Sequence, residues 1–68
     1  MESWDINKNE NIKTPVRVIF FLNAIDNICK RYNFSISHED SHGCFILEKY
    51  NDYNIKWLKG CMLDLEED

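Results

Sequence analysis

His38, Glu39, Asp40, Ser41 and His42 follow one another without a break, and Gly43 closes the run. Two imidazoles, two carboxylates and a hydroxyl in five positions could ligate a metal, move a proton or hold an anionic ligand. Which of these is open depends on the element that carries them. Phe34, Ile36 and His38 before the run, and Phe45 and Leu47 after it, alternate with polar residues, the pattern of two half-buried strands. The turn, roughly Asp40 to Gly43, then sits at the tip of a hairpin. Across a turn, the four-residue step from His38 to His42 does not place both rings on one face as it would on a helix.

Three kinds of chemistry can be weighed at such a tip. A zinc shell could draw on Glu39, Asp40 and Cys44, but no second Cys/His pair stands at finger-like spacing, so no metal and no cofactor are expected. Asp40, Ser41 and His42 spell a hydrolytic triad, yet neighbours on a tight turn rarely converge. A water-excluding cleft is also hard to build in 68 residues, so no catalytic residue is expected. Binding asks less. His38, Asp40, Ser41, His42 and the backbone at Gly43 can contact a phosphate, ribose or carboxylate, with Tyr53 and Trp57 as a stacking face for a base. Against this, Asp40 and Ser41 are equally suited to bonding the turn backbone while Gly43 supplies a positive φ. Tyr53 and Trp57 are equally suited to a core or an interface.

Size limits what can position these groups. A 68-residue chain forms one domain at most and buries only about 60% of the surface its unfolded form exposes. Cys29, Cys44 and Cys61 are odd in number, with no C-x-x-C pair and no signal peptide ahead of them. Reduced thiols of a cytoplasmic protein, buried as small apolar groups, are expected. Oligomerisation is then the favoured source of extra buried area. The net charge of −4 is uneven: residues 1–63 carry eight acidic and eight basic side chains, and Asp64, Glu66, Glu67 and Asp68 supply the excess. No basic stripe exists, so no nucleic-acid partner is expected. The longest apolar run, Val18 to Leu22, falls far short of a membrane span, and no membrane partner is expected either.

Residues 1–13 are polar and rich in asparagine, and a flexible N-terminal arm is expected there, with Trp4 available to dock. A single α+β domain is expected over residues 14–63, followed by a mobile acidic tail over 64–68. Thr14 and Pro15 read as N-cap and first helical residue. Val18, Phe21, Leu22, Ile25, Ile28, Cys29 and Tyr32 then recur as one stripe on a helix of about 18 residues, which Asn33 can end in the left-handed conformation. Val16, Ile19 and Phe20 lie off that stripe and are expected to form a homo-oligomer contact. Asn51 can cap a second helix from about Asp52 to Leu63, weakened at Gly60. The order is helix–strand–strand–helix, with both helices on one face of the hairpin.

The string S-H-E-D-x-H-G-x-F-I-x-E over Ser37 to Glu48, with Y-N-D-Y-N-I-K-W-L over Tyr50 to Leu58, resembles a family of very small proteins from phages of Gram-positive bacteria. That family also carries C-K-[KR]-Y-x ahead of the hairpin, matching Cys29 to Asn33. The resemblance covers about residues 18–60. It implies expression in a bacterial cytosol and stoichiometric antagonism of host immunity. One such strategy is an oligomeric sponge for a small nucleotide-like signal, as in anti-Thoeris proteins. The alternative is direct masking of a host defence protein, as in many anti-CRISPR proteins, here through Phe20, Ile19 and Trp4 or the acidic tail.

Overall fold

The computed structural model describes residues 1–65. Its element order is β1 (Glu2–Asp5), β2 (Glu10–Lys13), α1 (Val16–Tyr32), β3 (Phe34–His38), β4 (Phe45–Lys49) and α2 (Asp52–Lys59). The chain is therefore α+β, with two separate antiparallel hairpins and two helices. The helix–strand–strand–helix segment follows the expected order. What precedes it does not.

The stretch expected to be a flexible arm is a hairpin. β1 pairs with β2 in the register Glu2↔Lys13 to Asp5↔Glu10. Its turn is held by Asp5, whose Oδ1 accepts from the backbone N–H of Asn7 at 2.8 Å and of Lys8 at 3.3 Å. Such self-bonding is what short acidic side chains do well in turns, and Asn9 takes the positive φ of 54° that asparagine tolerates. Residues beyond α2 then add to the open edge. Leu63 donates its N–H to the Trp4 carbonyl at 2.8 Å and accepts from the Ile6 N–H at 2.9 Å. Leu63 is thereby tied to the sheet of β1 and β2. Asp64 and Leu65 follow that sheet, and the remainder of the acidic tail lies outside the described residues.

Thr14 does not cap α1, contrary to expectation. Its side chain is buried and shares a 2.6 Å hydrogen bond with Ser3 Oγ, so the hydroxyl locks the first hairpin to the helix start instead. Pro15 takes the N-cap position without a side-chain cap bond. At the other end Asn33 adopts φ 59° and ψ 37°, as expected of a left-handed stop, with Lys30 and Arg31 in the last turn. Asn51 caps α2 as expected, accepting the Asn54 N–H at 2.8 Å. That helix ends at Lys59, four residues short of its expected end, because the chain turns at Gly60 and joins the first sheet.

The apolar core gathers where the first hairpin, α1 and the C-terminal segment meet. Val18, Leu22 and Leu63 are its buried centre, with Ile12, Leu58 and Cys61 packed around them. None of its members comes from β3 or β4. The radius of gyration is 13.1 Å, where a folded chain of this length has about 11 Å. The accessible surface of 5751 Å² exceeds the roughly 4,500 Å² of a folded monomer of this mass. Among the described residues no helix is long and apolar enough to cross a membrane.

Candidate functional site

The second hairpin has its expected strands, but its expected polarity is reversed. Ile36 pairs with Leu47 and His38 with Phe45, so these four, with Phe34 and Lys49, share one face of the sheet. That apolar face points to solvent: Phe45 is 83% exposed and Leu47 65%. The inward face carries Ser35, Ser37, Ile46 and Glu48. Ser35 is completely buried. Its hydroxyl donates to the Lys49 carbonyl at 2.7 Å and accepts from Asn54 Nδ2 at 3.0 Å. Asn54 also donates to the Glu48 carboxylate. A hydrogen-bonded polar seam ties the hairpin to α2. Glu48, expected to be merely solvated, belongs to that seam.

At the tip, Glu39 is the organising residue. Its carboxylate accepts from the backbone N–H groups of Ser41 and His42, the latter at 2.7 Å, and lies 2.8 Å from His42 Nδ1. Its backbone N–H donates to the Cys44 carbonyl, and its own carbonyl accepts from Gly43 at 3.0 Å. The Ser41 N–H bond, followed by His42, holds the Glu39 carboxyl below the usual carboxylate range. The turn bonding was expected of Asp40 and Ser41. Asp40 instead faces His38, with Oδ1 at 3.0 Å from Nδ1. Gly43 has the expected positive φ, at 70°. Each imidazole thus has a carboxylate neighbour, and the tip offers no surplus of positive charge. Among the described residues, the hydrogen bonds and ion pairs of these side chains stay within the tip.

Tyr53 and Trp57 lie elsewhere. One turn apart on α2, their rings meet edge to face with centroids 6.0 Å apart. With Lys56 and Gly60 they line an open depression of about 430 Å³. Among the described residues no hydrogen bond or ion pair joins this depression to the tip, which lies at the far end of the hairpin from the point where α2 departs. A single chain therefore does not bring the expected ligand contacts, His38, Asp40, Ser41, His42, Gly43, Tyr53 and Trp57, into one recess. Lys56 was missed by the sequence reading. Its signal was present in the three- and four-residue steps of Tyr53, Lys56, Trp57 and Gly60, which share one helix face.

A second cluster also went unread. Asp26 is buried on the core side of α1, accepting from Lys59 Nζ at 3.0 Å and from the Tyr50 hydroxyl at 3.2 Å, with Lys30 Nζ at 3.6 Å. The Lys59 hydrogen bond, followed by that of Tyr50, holds its carboxyl below the usual range despite burial. Burial and the neighbouring Asp26 push the Tyr50 phenol up. These contacts tie α1, α2 and the end of β4 together. They are enclosed by the fold's own partners and serve as a clasp.

Of the cysteines, Cys29 is buried, Cys61 half-buried and Cys44 exposed, so the expectation of buried thiols fails at Cys44. All three are free. Among the described residues no group of three or more His, Cys, Asp or Glu side chains is placed to hold a metal ion. The chain matches no protein-family model, no curated protein and no solved structure.

Proposed function

We propose that the protein is a non-enzymatic binding protein that works as an assembly of copies and sequesters a small nucleotide-like ligand. The observation that carries this reading is the edge-to-face pair Tyr53–Trp57 beside Lys56. An exposed indole offers a base a stacking face, and an adjacent ammonium suits a phosphate. The volume of about 430 Å³ lies within the range of small-ligand sites, roughly 300–1,000 Å³. One wall is missing, and a second copy could supply it. The polar tip, with His38, Asp40, Ser41, His42 and the backbone at Gly43, is the group best suited to that role. The resemblance to small phage proteins supports a setting in the cytoplasm of an infected bacterium, where such capture would silence an immune signal.

Mass spectrometry of small molecules released on denaturing the purified protein tests this reading, followed by calorimetry with cyclic and ADP-ribose nucleotides. Release of a nucleotide, or heat on adding one, is the expected result. A folded protein that releases nothing and takes up none of them contradicts it.

A second reading is favoured by one specific feature. The outward hairpin face Phe34, Ile36, Phe45 and Leu47 is an apolar surface suited to masking a host protein. Capture of one host protein at one-to-one stoichiometry, lost on Phe45→Glu, would decide for it.

A further inference from the structure

We infer that the outward face of the β3–β4 hairpin is where two copies of this chain join. They would stack face to face about a two-fold axis, with their hairpins antiparallel.

The first ground is structural incompleteness. A two-stranded hairpin is marginal in water on its own and needs further strands or a packed helix. Here the inward face is hydrogen-bonded to α2 through Ser35, Asn54 and Glu48, and the apolar cluster around Val18, Leu22 and Leu63 includes no residue of β3 or β4. Phe34, Ile36, Phe45 and Leu47 lie on the other side, in solvent, and Ile46 alone of the apolar strand residues faces inward, itself 39% exposed.

The second ground is area. The chain exposes on the order of 1,000 Å² more than a folded monomer of its mass. A stable interface takes about 800 Å² from each partner. The surplus is what one such interface removes.

The third ground is charge. The two ends of the face are opposite in sign. Lys49 lies at the base, opposite Phe34, with Arg31 in the last turn of the helix that leads into it. Glu39 and Asp40 lie at the tip, beside His42 and His38 respectively. A parallel stack would set like charges together. The antiparallel stack sets the Lys49 end of each copy over the Asp40 end of the other, while Ile36 and Leu47 meet near the axis. Such a surface is complementary to itself, as a two-fold contact requires.

This inference deepens the oligomeric part of the function proposed above and stands whether or not a ligand is found. It also places the tip of each copy against the end of the partner's hairpin from which α2, with Tyr53, departs. It differs from the contact expected at Val16, Ile19 and Phe20. Val16 and Phe20 are exposed on α1, but Ile19 is only half-exposed, and no charge pattern there selects a second copy.

Complementary charge variants at Leu47 test it, read by native mass spectrometry on the full chain. The wild type is expected as a dimer, and Leu47→Glu and Leu47→Lys each as a monomer, with self-affinity lowered at least about 100-fold by a charge forced into an apolar contact. Mixing the two variants should restore a heterodimer. Phe20→Glu should remain dimeric. Leu47 is largely exposed within one chain, so the variants should keep the wild-type helical circular dichroism, and the heterodimer reports directly on folded protein. A monomeric wild type, dimeric Leu47 variants, no heterodimer on mixing, or monomerisation by Phe20→Glu would each overturn the assignment.

Discussion

Ser35 Oγ accepts a hydrogen bond from Asn54 Nδ2 at 3.0 Å in the completely buried seam between β3 and α2. This contact decides which way the hairpin faces. A hydroxyl that bonds both a strand carbonyl and a helix amide can be buried at little cost, whereas the same position without it would take one of two acceptors from the Asn54 amide. Once Ser35 is turned inward, the period of two sends Phe34, Ile36, Phe45 and Leu47 outward. The exposed apolar face and the polar seam are thus two consequences of one register.

Removing that hydroxyl should be costly. Ser35→Ala leaves Asn54 Nδ2 with Glu48 as its remaining side-chain partner, and stability should fall by about 1–3 kcal/mol in urea unfolding. Ser35→Thr keeps the hydroxyl and should lose less. Equal stability of wild type and Ser35→Ala would mean that the seam does not hold the hairpin.

Asp26 should give the protein an acid limb. Its carboxyl titrates lower when folded than when unfolded, because Lys59 and Tyr50 bond its charged form. Its stabilisation is therefore complete above the unfolded value, near pH 4, and is lost as pH falls through the lower folded value. Tyr50 acts in the opposite sense. Its folded value is raised, so its contribution is complete below about pH 10 and fades as pH rises beyond that. Asp26→Asn should flatten the acid limb below about pH 4 in thermal melts, and Tyr50→Phe the alkaline one. An unchanged acid slope in Asp26→Asn would contradict the role given to the clasp.

Glu39 should control order at the tip. With Glu39→Ala the backbone N–H groups of Ser41 and His42 lose their acceptor, and residues 40–43 should gain nanosecond motion in ¹⁵N relaxation. The helices should be unaffected. If the tip stays as rigid as in the wild type, the carboxylate is not what shapes it.

Ligand capture should depend on α2. Trp57→Ala should weaken binding of a nucleotide by roughly 10- to 100-fold, the worth of one stacked base, and Lys56→Glu should weaken it further as phosphates are added. His42→Ala should act only if a second copy brings the tip to the depression. Indifference to both Trp57→Ala and Lys56→Glu would remove the site from α2.

Much of the local structure was legible in the residues. Asn33 as a left-handed stop, Asn51 as a cap and Gly43 as a positive-φ turn residue are single-residue signals that act over a few positions, and each holds. The two strands of the second hairpin followed from alternation, but alternation fixes a face without saying whether that face meets the protein's own core. Phe34, Ile36, Phe45 and Leu47 were read as inward because apolar residues usually are. The reason they are not lies in Ser35 and Asn54, nineteen positions apart, whose pairing no local pattern announces. The first hairpin escaped for a similar reason. Its strands are short and polar, and they are held by Thr14, Ser3 and the distant Leu63 rather than by their own propensity. Asp26 was hidden among the core-facing residues of α1, where only Lys59 and Tyr50 make a buried carboxylate affordable.

Sedimentation equilibrium of the unmodified protein, from about 1 to 100 μM, tests most directly whether a second copy completes this fold. The expected mass is twice the 8.2 kDa of one chain over most of that range, with dissociation confined to its low end. A mass of 8.2 kDa at every concentration, from protein with native circular dichroism, would contradict the account.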